Sequence, residues 1–529
     1  MDKTCNLVLI TGQVCWRTVL RYRLVPAGNE KPTISSMKRY LLLAVLFLAY
    51  CNINGQVVSY DYSWPFGPGP GLGLKSCNLN FSSGSLVVDT VDRIMGLYLT
   101  VSSVSDHNGA VKFCSNGCFI LNSADDTLQN GSGLNPNNCT NLWCLGGLPS
   151  FDANLILPDP GNSQRFYLFH APCSQINANQ LEFLYYSIID LTLDSGRGAV
   201  VNKNTMINPQ YIFNGFMTAT KHGNGRDWWI ICHGVNNDLF YEYLLTPNGI
   251  QGPFNQHCGW IFDSGNGNSR FSHDGSKLIC GTQNGKIRIY DFDRCTGLIN
   301  ANVQFNRPYP NRGNLVSTSS DSHFLYSVDY EHIIQYDLRG PNIDSTGIIV
   351  ASYDGFIASD SIHHTYFSML QLAVDGKIYM PAWGGTNYIH IIDHPEQQGL
   401  ACNVIQHAIE LPCALGFPPN FPNYRLGALT GSACDSLVID GITSLPASNL
   451  FHIYPNPVKG EQFTISYPQL KQDVQLEIYN LFGSKLNETI LPAGSWSMKI
   501  SVENLSGGVY FACIRNSKTS EVIKFFVAQ

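Results

Sequence analysis

The chain is predicted to be all-β, a β-propeller of about seven blades followed by a small immunoglobulin-like β-sandwich. Three observations predict this. Turn-forming Asp/Asn/Gly clusters recur at a regular interval, the segments between them alternate or run apolar as strands do, and the C-terminal end packs five more short strands into about eighty residues. Composition agrees: Gly 48, Pro 27, Tyr 26 and Phe 28 stand against 13% charged residues, whereas long helices would draw on more Ala, Glu, Lys and Leu.

The turns are SDHNGAVKF near Asn108, PDPGNSQRFYLF near Gly161, KHGNGRDWWIICHG near Asn224, SHDGSKLICG near Gly275, SSDSHFLYSV near Asp321 and AVDGKIYMPA near Gly376. Their spacing of about 45–65 residues suits one four-stranded blade with loops of variable length. Asp-Gly and Asn-Gly supply the positive φ of tight hairpins, and KIRIYDFD (Lys286–Asp293) and YIHIIDHP (Tyr388–Pro395) have no helical period. A blade alone cannot bury both faces; a ring of blades can, and closing the ring leaves few exposed edges. The stretches Leu86–Tyr98 and Asn403–Val438 are expected to pair into a further blade, which places the propeller at 77–440 with seven blades, six or eight being the neighbouring solutions.

Ahead of it, residues 1–36 show no pattern and read as an extension from a mis-assigned upstream start. Residues 37–55 (MKRYLLLAVLFLAYCNING) have a signal peptide's basic start and apolar run, with the cut expected between Gly55 and Gln56. The run Tyr40–Tyr50 is too short to span a bilayer, so no transmembrane helix is expected in the mature chain. A Pro/Gly-rich linker is expected over 56–76. The 17 Cys form no adjacent CxxC pairs; the close pairs Cys114/Cys118 and Cys139/Cys144 suggest local disulfides in an oxidising compartment, and Cys5, Cys15 and Cys51 are expected to leave with the N-terminus.

At the other end a short linker, 441–449, precedes a domain at 450–529. Tyr454-Pro455-Asn456-Pro457 reads as an extended lead-in with a turn, because each Pro disfavours helix before it. Strands are expected at Gln462–Ser466, Val474–Asn480, Ser497–Val502, Gly508–Arg515 and Glu521–Val527.

Few residues suggest chemistry. Ser272–Gly275 (SHDG) and His363-His364 offer catalytic residue types, but GxSxG, HExxH, EF-hand and Walker A patterns are all missing from the sequence. Calcium is conceivable at acidic loops such as Asn236–Leu239, where the ligand count falls short. No cofactor or metal is therefore assigned. A net charge of -7 argues against nucleic acid as a partner. Arg226-Asp227-Trp228-Trp229 is the candidate ligand platform, its indoles able to stack on sugar rings; the competing reading makes them core residues of a blade strand.

RFSHDGSKLICGTQNGKIRIYDFDRCTG resembles WD40-like repeats, with Tyr290-Asp291 where a Trp-Asp pair would lie. The C-terminal residues resemble, in order, the sorting domain of the type IX secretion system (type A). The matching parts are Tyr454 to Pro457, VQLEIYNLFG, the LSGGVY turn and strand (Leu505, Ser506, Gly507, Gly508, Val509, Tyr510) and Lys524, Phe525, Phe526 and Val527. The resemblance implies passage across the outer membrane, with the secretion machinery and its sortase as partners and a secreted or surface-attached destination. The function expected is a non-enzymatic scaffold for adhesion or for binding a glycan or protein ligand. An extracellular polysaccharide hydrolase or lyase on a propeller is the alternative.

Overall fold

The computed structural model describes residues 60–68, 75–177, 180–262, 266–308, 315–358, 362–383, 386–413, 416–435, 451–467, 470, 472–480, 484–515 and 520–528. The expected upstream extension, the signal segment with its Gly55/Gln56 cut, Cys5, Cys15 and Cys51, and the linker 441–449 lie outside them. The chain divides into two units, Met1–Leu437 and Val438–Gln529.

In the first unit every predicted hairpin turn joins the first two strands of a blade. The first strands are Ser102–Ser105, Asn154–Asp159, Thr218–Lys221, Gly267–Phe271, Leu315–Thr318 and Gln371–Leu372 in blades 2 to 7, each paired antiparallel with the strand after its turn. One device recurs in all six turns: an Asp or Asn side-chain oxygen accepts the main-chain N–H two residues on. Asp106, Asp159, Asn224, Asp274, Asp321 and Asp375 each do so. Gly225 and Gly275 hold φ of +73° and +75° there, a region costly for any side chain.

Blades 4 to 7 are separate four-stranded sheets; blades 2 and 3 are joined at their last strands by one parallel pair, Ala199 with Gln129. First strands of successive blades touch one another, from blade 1 to 3 and from blade 4 to 7, so they line the axis. Between blades 3 and 4, Leu155 and Phe169 share one core with Trp228 and Ile230.

Blade 1 is where the structure corrects the sequence reading. Ser63–Phe66, inside the expected linker 56–76, is a strand paired with Ser76–Asn80, which in turn pairs with Val87–Val91. Trp64 and Phe66 are fully buried, and a proline is tolerated at 65 because this strand has a neighbour on one side only. With it the described residues hold seven blades. The ring closes by side chains: Tyr379 of blade 7 meets Trp64 and Phe81, and Cys77 of blade 1 is disulfide-bonded to Cys413, just past blade 7's last strand, Val404–Glu410. Leu86–Tyr98 and Asn403–Val438 do not make a blade together; they meet where Phe417 N–H donates to the Tyr98 carbonyl.

The close cysteine pairs do not bond to each other. Cys118 bonds to Cys144 and Cys139 to Cys173, because the short helix Asn138–Trp143 carries Cys139 toward Cys173. Cys114 is a free thiol buried against Leu97 and Val101. A fourth disulfide, Cys295–Cys434, ties the end of the unit to blade 5.

The second unit is a sandwich of a three-stranded sheet (His452–Tyr454, Gln462–Ser466, Ser497–Ser501) and a five-stranded one. The latter runs Val458–Lys459, Ser520–Ala528, Gly508–Arg515, Val474–Asn480, Lys485–Leu491 in spatial order. Val458, Phe463, Leu476, Ile478 and Phe525 form the core between them.

Candidate functional site

A propeller's axis is the natural place to look for a site, and here the chain fills its own. After blade 7, residues 416–427 run along the first strands from one mouth to the other. Asn420 N–H donates to the Val101 carbonyl, and its amide nitrogen donates to the carbonyls of Asn154 (3.2 Å) and Met217 (3.0 Å). Further along, the Tyr424 hydroxyl donates to the Ile156 carbonyl at 2.7 Å and the Asn423 amide to that of His273 at 2.8 Å. Phe421 and Tyr424 are buried in the propeller core. The segment ends in a fork of Arg425 on Asp61, 2.7 and 2.9 Å, which joins it to the start of blade 1.

At the mouth formed by the first hairpin turns, this segment leaves an axial pocket of about 60 Å³, enough for a few waters. Thr218, Thr220, Arg270, His273, Ser317, Thr318 and Gln371 line it. Arg270 is held by the buried Asp152 (2.7 and 3.3 Å). Burial and the Arg425 charge lower the His273 imidazole, so it is neutral at pH 7. Asp61 is the one carboxylate among the described lining residues, and Arg425 occupies it. Ser272, His273 and Asp274 do not form a relay: the Ser272 hydroxyl donates to Asp274 at 2.6 Å and accepts from Lys277 N–H, which is turn architecture. The imidazole of His364 stacks on Tyr366 with centroids 5.1 Å apart and hydrogen-bonds the Tyr353 hydroxyl, away from this pocket. Among the described residues no group of three His, Cys, Asp or Glu is placed to hold a metal ion.

Beyond the Asp61–Arg425 pair lies a larger cleft of about 540 Å³, between the first turns of blades 3 and 4. Pro158 to Ser163 form one wall, Lys221, Gly225, Arg226 and Trp228 the other, and Tyr60 and Tyr424 to Gly427 the rest. Lys221 is the last residue of its strand, and its ammonium stands 5.4 Å from the Trp228 ring centroid. Among the described residues no carboxylate pairs with it. Burial, then the charge of Arg294, lowers its pKa to about 8.

The predicted platform Arg226-Asp227-Trp228-Trp229 is split by this geometry. Successive strand residues face opposite sides of a sheet. Trp228 therefore joins the core shared with blade 3, while Trp229 joins the core shared with blade 5 and donates its indole N–H to the Arg294 carbonyl. Trp228 is 1% and Trp229 5% exposed, so neither presents a stacking face. Arg226 does line the cleft, forked on Asp227 at 2.7 and 3.1 Å. Asp227 also accepts from the Asn224 amide, which fixes the turn. Sequence reasoning missed Lys221 and the 424–427 wall. The signal for Lys221 was a lone cation closing the short strand Thr218–Lys221 ahead of an aromatic pair; nothing local in FPNYRLG marks an axial segment.

In the second unit the expected motif residues hold the two ends of the domain together. Asn456, within Tyr454-Pro455-Asn456-Pro457, accepts from Phe526 N–H at 2.9 Å and donates to the Lys524 carbonyl at 3.3 Å, as a strand neighbour would. Val458 then pairs in parallel with Val527. After Leu505, Ser506 and Gly507 form the turn, Gly508 and Val509 open a strand, and the Tyr510 hydroxyl donates back to the Ser506 carbonyl at 2.6 Å. Along the last strand Phe525 and Val527 point into the core, with Lys524 exposed and Phe526 half-buried on the other side.

Comparison with known proteins finds a family for the second unit. A search of curated sequences finds no match. Among solved structures the chain is similar to a protein from Lactobacillus plantarum at 12% identity and a TM-score of 0.41, covering 68% of this chain and 98% of that one. It is also similar to the Pseudomonas aeruginosa periplasmic gluconolactonase PpgL (12%, TM-score 0.33, covering 68% and 96%). A third is the β-propeller domain of Myceliophteria thermophila Cps50 (Swd1), at 9% and a TM-score of 0.37, covering 62% and 93%. Residues 452–528 match the family described as the secretion system C-terminal sorting domain. The match spans the strands, the Asn456 bridge and the turn before Tyr510, and the C-terminal unit of this all-β propeller protein is a type IX secretion sorting domain.

Proposed function

We propose that the protein is a non-enzymatic binding module, delivered outside the cell by its sorting domain, and that it takes its ligand at the cleft between blades 3 and 4. The sorting domain directs the chain to the cell surface or the medium through the type IX machinery and its sortase. No helix among the described residues is long and apolar enough to cross a membrane. The observation that carries the binding reading is the axial segment: Phe421 to Arg425 occupies the space where a propeller enzyme would gather its reacting groups, and leaves about 60 Å³. Glycoside hydrolysis generally needs two carboxylates flanking the bond, one of them free to carry a proton. Here the single lining carboxylate is forked by an arginine. The cleft, in contrast, has the volume and mixed lining of a ligand site.

The test is to present the full-length mature protein to glycan and protein arrays while incubating it with the same polysaccharides and following reducing ends and unsaturated products. Saturable binding without product supports the module; product formed at a rate proportional to protein concentration replaces it with an enzyme.

A further inference from the structure

We propose that the cleft between blades 3 and 4 is a site for an acidic sugar, a uronate or a sulfate ester, whose anion is met by the Lys221 ammonium. The inference rests on the binding reading above and names its ligand class.

An ammonium seldom stays half-buried without a carboxylate. Among the described residues Lys221 has none: it lies over Trp228 and faces the cleft, and Arg294 behind it bonds the main-chain carbonyls of Lys221, His222, Asp274 and Gly427. The other cations of the lining are already neutralised, Arg226 by Asp227 and Arg425 by Asp61. Asp159 is the lining's one carboxylate; it accepts the Gly161 N–H in its turn and forms no ion pair with Lys221. Lys221 is thus the cation of the lining without a direct carboxylate partner among the described residues, on a chain of net charge -7. An anionic ligand supplies the missing partner through a charge-assisted hydrogen bond.

The rest of the lining favours a sugar over an acidic peptide. Asn162 and Ser163 offer amide and hydroxyl groups to ring hydroxyls, and the half-buried Tyr60 contributes a ring at the wall. A volume of about 540 Å³ suits a mono- or disaccharide.

Binding should fall as pH rises from 7 to 9.5. The groups around Lys221 are Asp159, Arg226 with Asp227, Arg425 with Asp61, Arg294, His222, Tyr60 and Tyr424. Burial lowers His222 and raises Tyr60 and Tyr424, which moves all three away from that window, whereas Lys221 loses its proton at about pH 8.

The experiment is calorimetry of the full mature chain with trigalacturonate, a sulfated galactan oligomer, cellotriose and a penta-aspartate peptide. At pH 7 one or both acidic sugars should bind at least tenfold tighter than cellotriose or the peptide. The pair of sugar arms tells carboxylate from sulfate. Lys221→Met should weaken that binding at least tenfold, and Lys221→Arg should restore most of it. A parallel readout needs no variant: limited acetylation of the native protein at pH 8 should modify Lys221, and the bound sugar should protect it. Equal binding by Lys221→Met, stronger binding of the peptide, or acetylation unaffected by sugar would overturn the proposal. If cellotriose binds as well as the acidic sugars, the module stands and the anion inference falls; if no arm binds, both the inference and the cleft as binding site fall.

Discussion

The propeller and the sorting domain solve the same problem, tying the two ends of a β-structure together, and they solve it differently. In the sorting domain the ends meet through the main chain: Asn456 mimics a strand neighbour of Phe526, and Val458 pairs with Val527. In the propeller the first blade has only three strands and borrows none from the C-terminus. Its closure uses side chains instead, with Trp64 and Phe81 against Tyr379, the Cys77–Cys413 disulfide, and the Arg425 fork on Asp61. The difference follows distance along the chain. Bringing ends together across 336 residues costs more chain entropy than across a short domain, and a covalent link removes that cost from the unfolded state. It also requires an oxidising compartment, which agrees with export.

The comparison can be broken most sharply at the level of destination. Removing residues 450–529 should leave the propeller retained in the periplasm, with extracellular material falling to background in cell fractionation; undiminished secretion would show that the tail does not direct export. Next comes the covalent closure. Replacing Cys77 and Cys413 together by Ser should lower stability by about 4–5 kcal/mol, more than the same change at Cys118 and Cys144, whose loop spans only 26 residues. Equilibrium urea unfolding of the two double variants gives the ranking, and equal losses would mean that the ring is held without its long staple.

Arg270→Met should cost about 3–5 kcal/mol, because it strands the buried Asp152 carboxylate. A thermal melt that shifts by less than a degree would contradict this. In the sorting domain Tyr510→Phe removes a single hydroxyl bond to Ser506 and should cost about 1 kcal/mol, leaving secretion intact. A pH dependence gives the remaining test. Lys221 releases its proton near pH 8 when folded but keeps it to about 10.4 when unfolded. The burden of its buried charge is therefore full below pH 8 and relieved between the two values. Stability should rise with pH across that window, and in Lys221→Met this contribution should vanish.

Much of the architecture was legible because it repeats locally. The six Asx turns are chemistry contained within three or four residues, and each marked a first hairpin correctly. Blade 1 was illegible for the same reason in reverse. The Pro/Gly run after Phe66 stands where the other blades carry an Asp or Asn turn, so SWPF looked like part of a linker. In the sorting domain the strand Lys485–Leu491 was missed because it is an exposed edge with little apolar pattern. The site was read in fragments. Arg226 was chosen and does line the cleft, but the alternation of a strand turned Trp228 and Trp229 to opposite cores. Lys221 became notable only once Tyr60, Gly161 and Arg425 were seen around it.

From its residues alone the chain determined its class, its turns and its address, since Asx turns, strand alternation and the C-terminal motifs are set by near neighbours. Which cysteines bond, how many blades close the ring, and what fills the axis were decided by the tertiary structure. Each of these depends on groups between 26 and 364 positions apart meeting in space, and no short-range pattern encodes such a meeting.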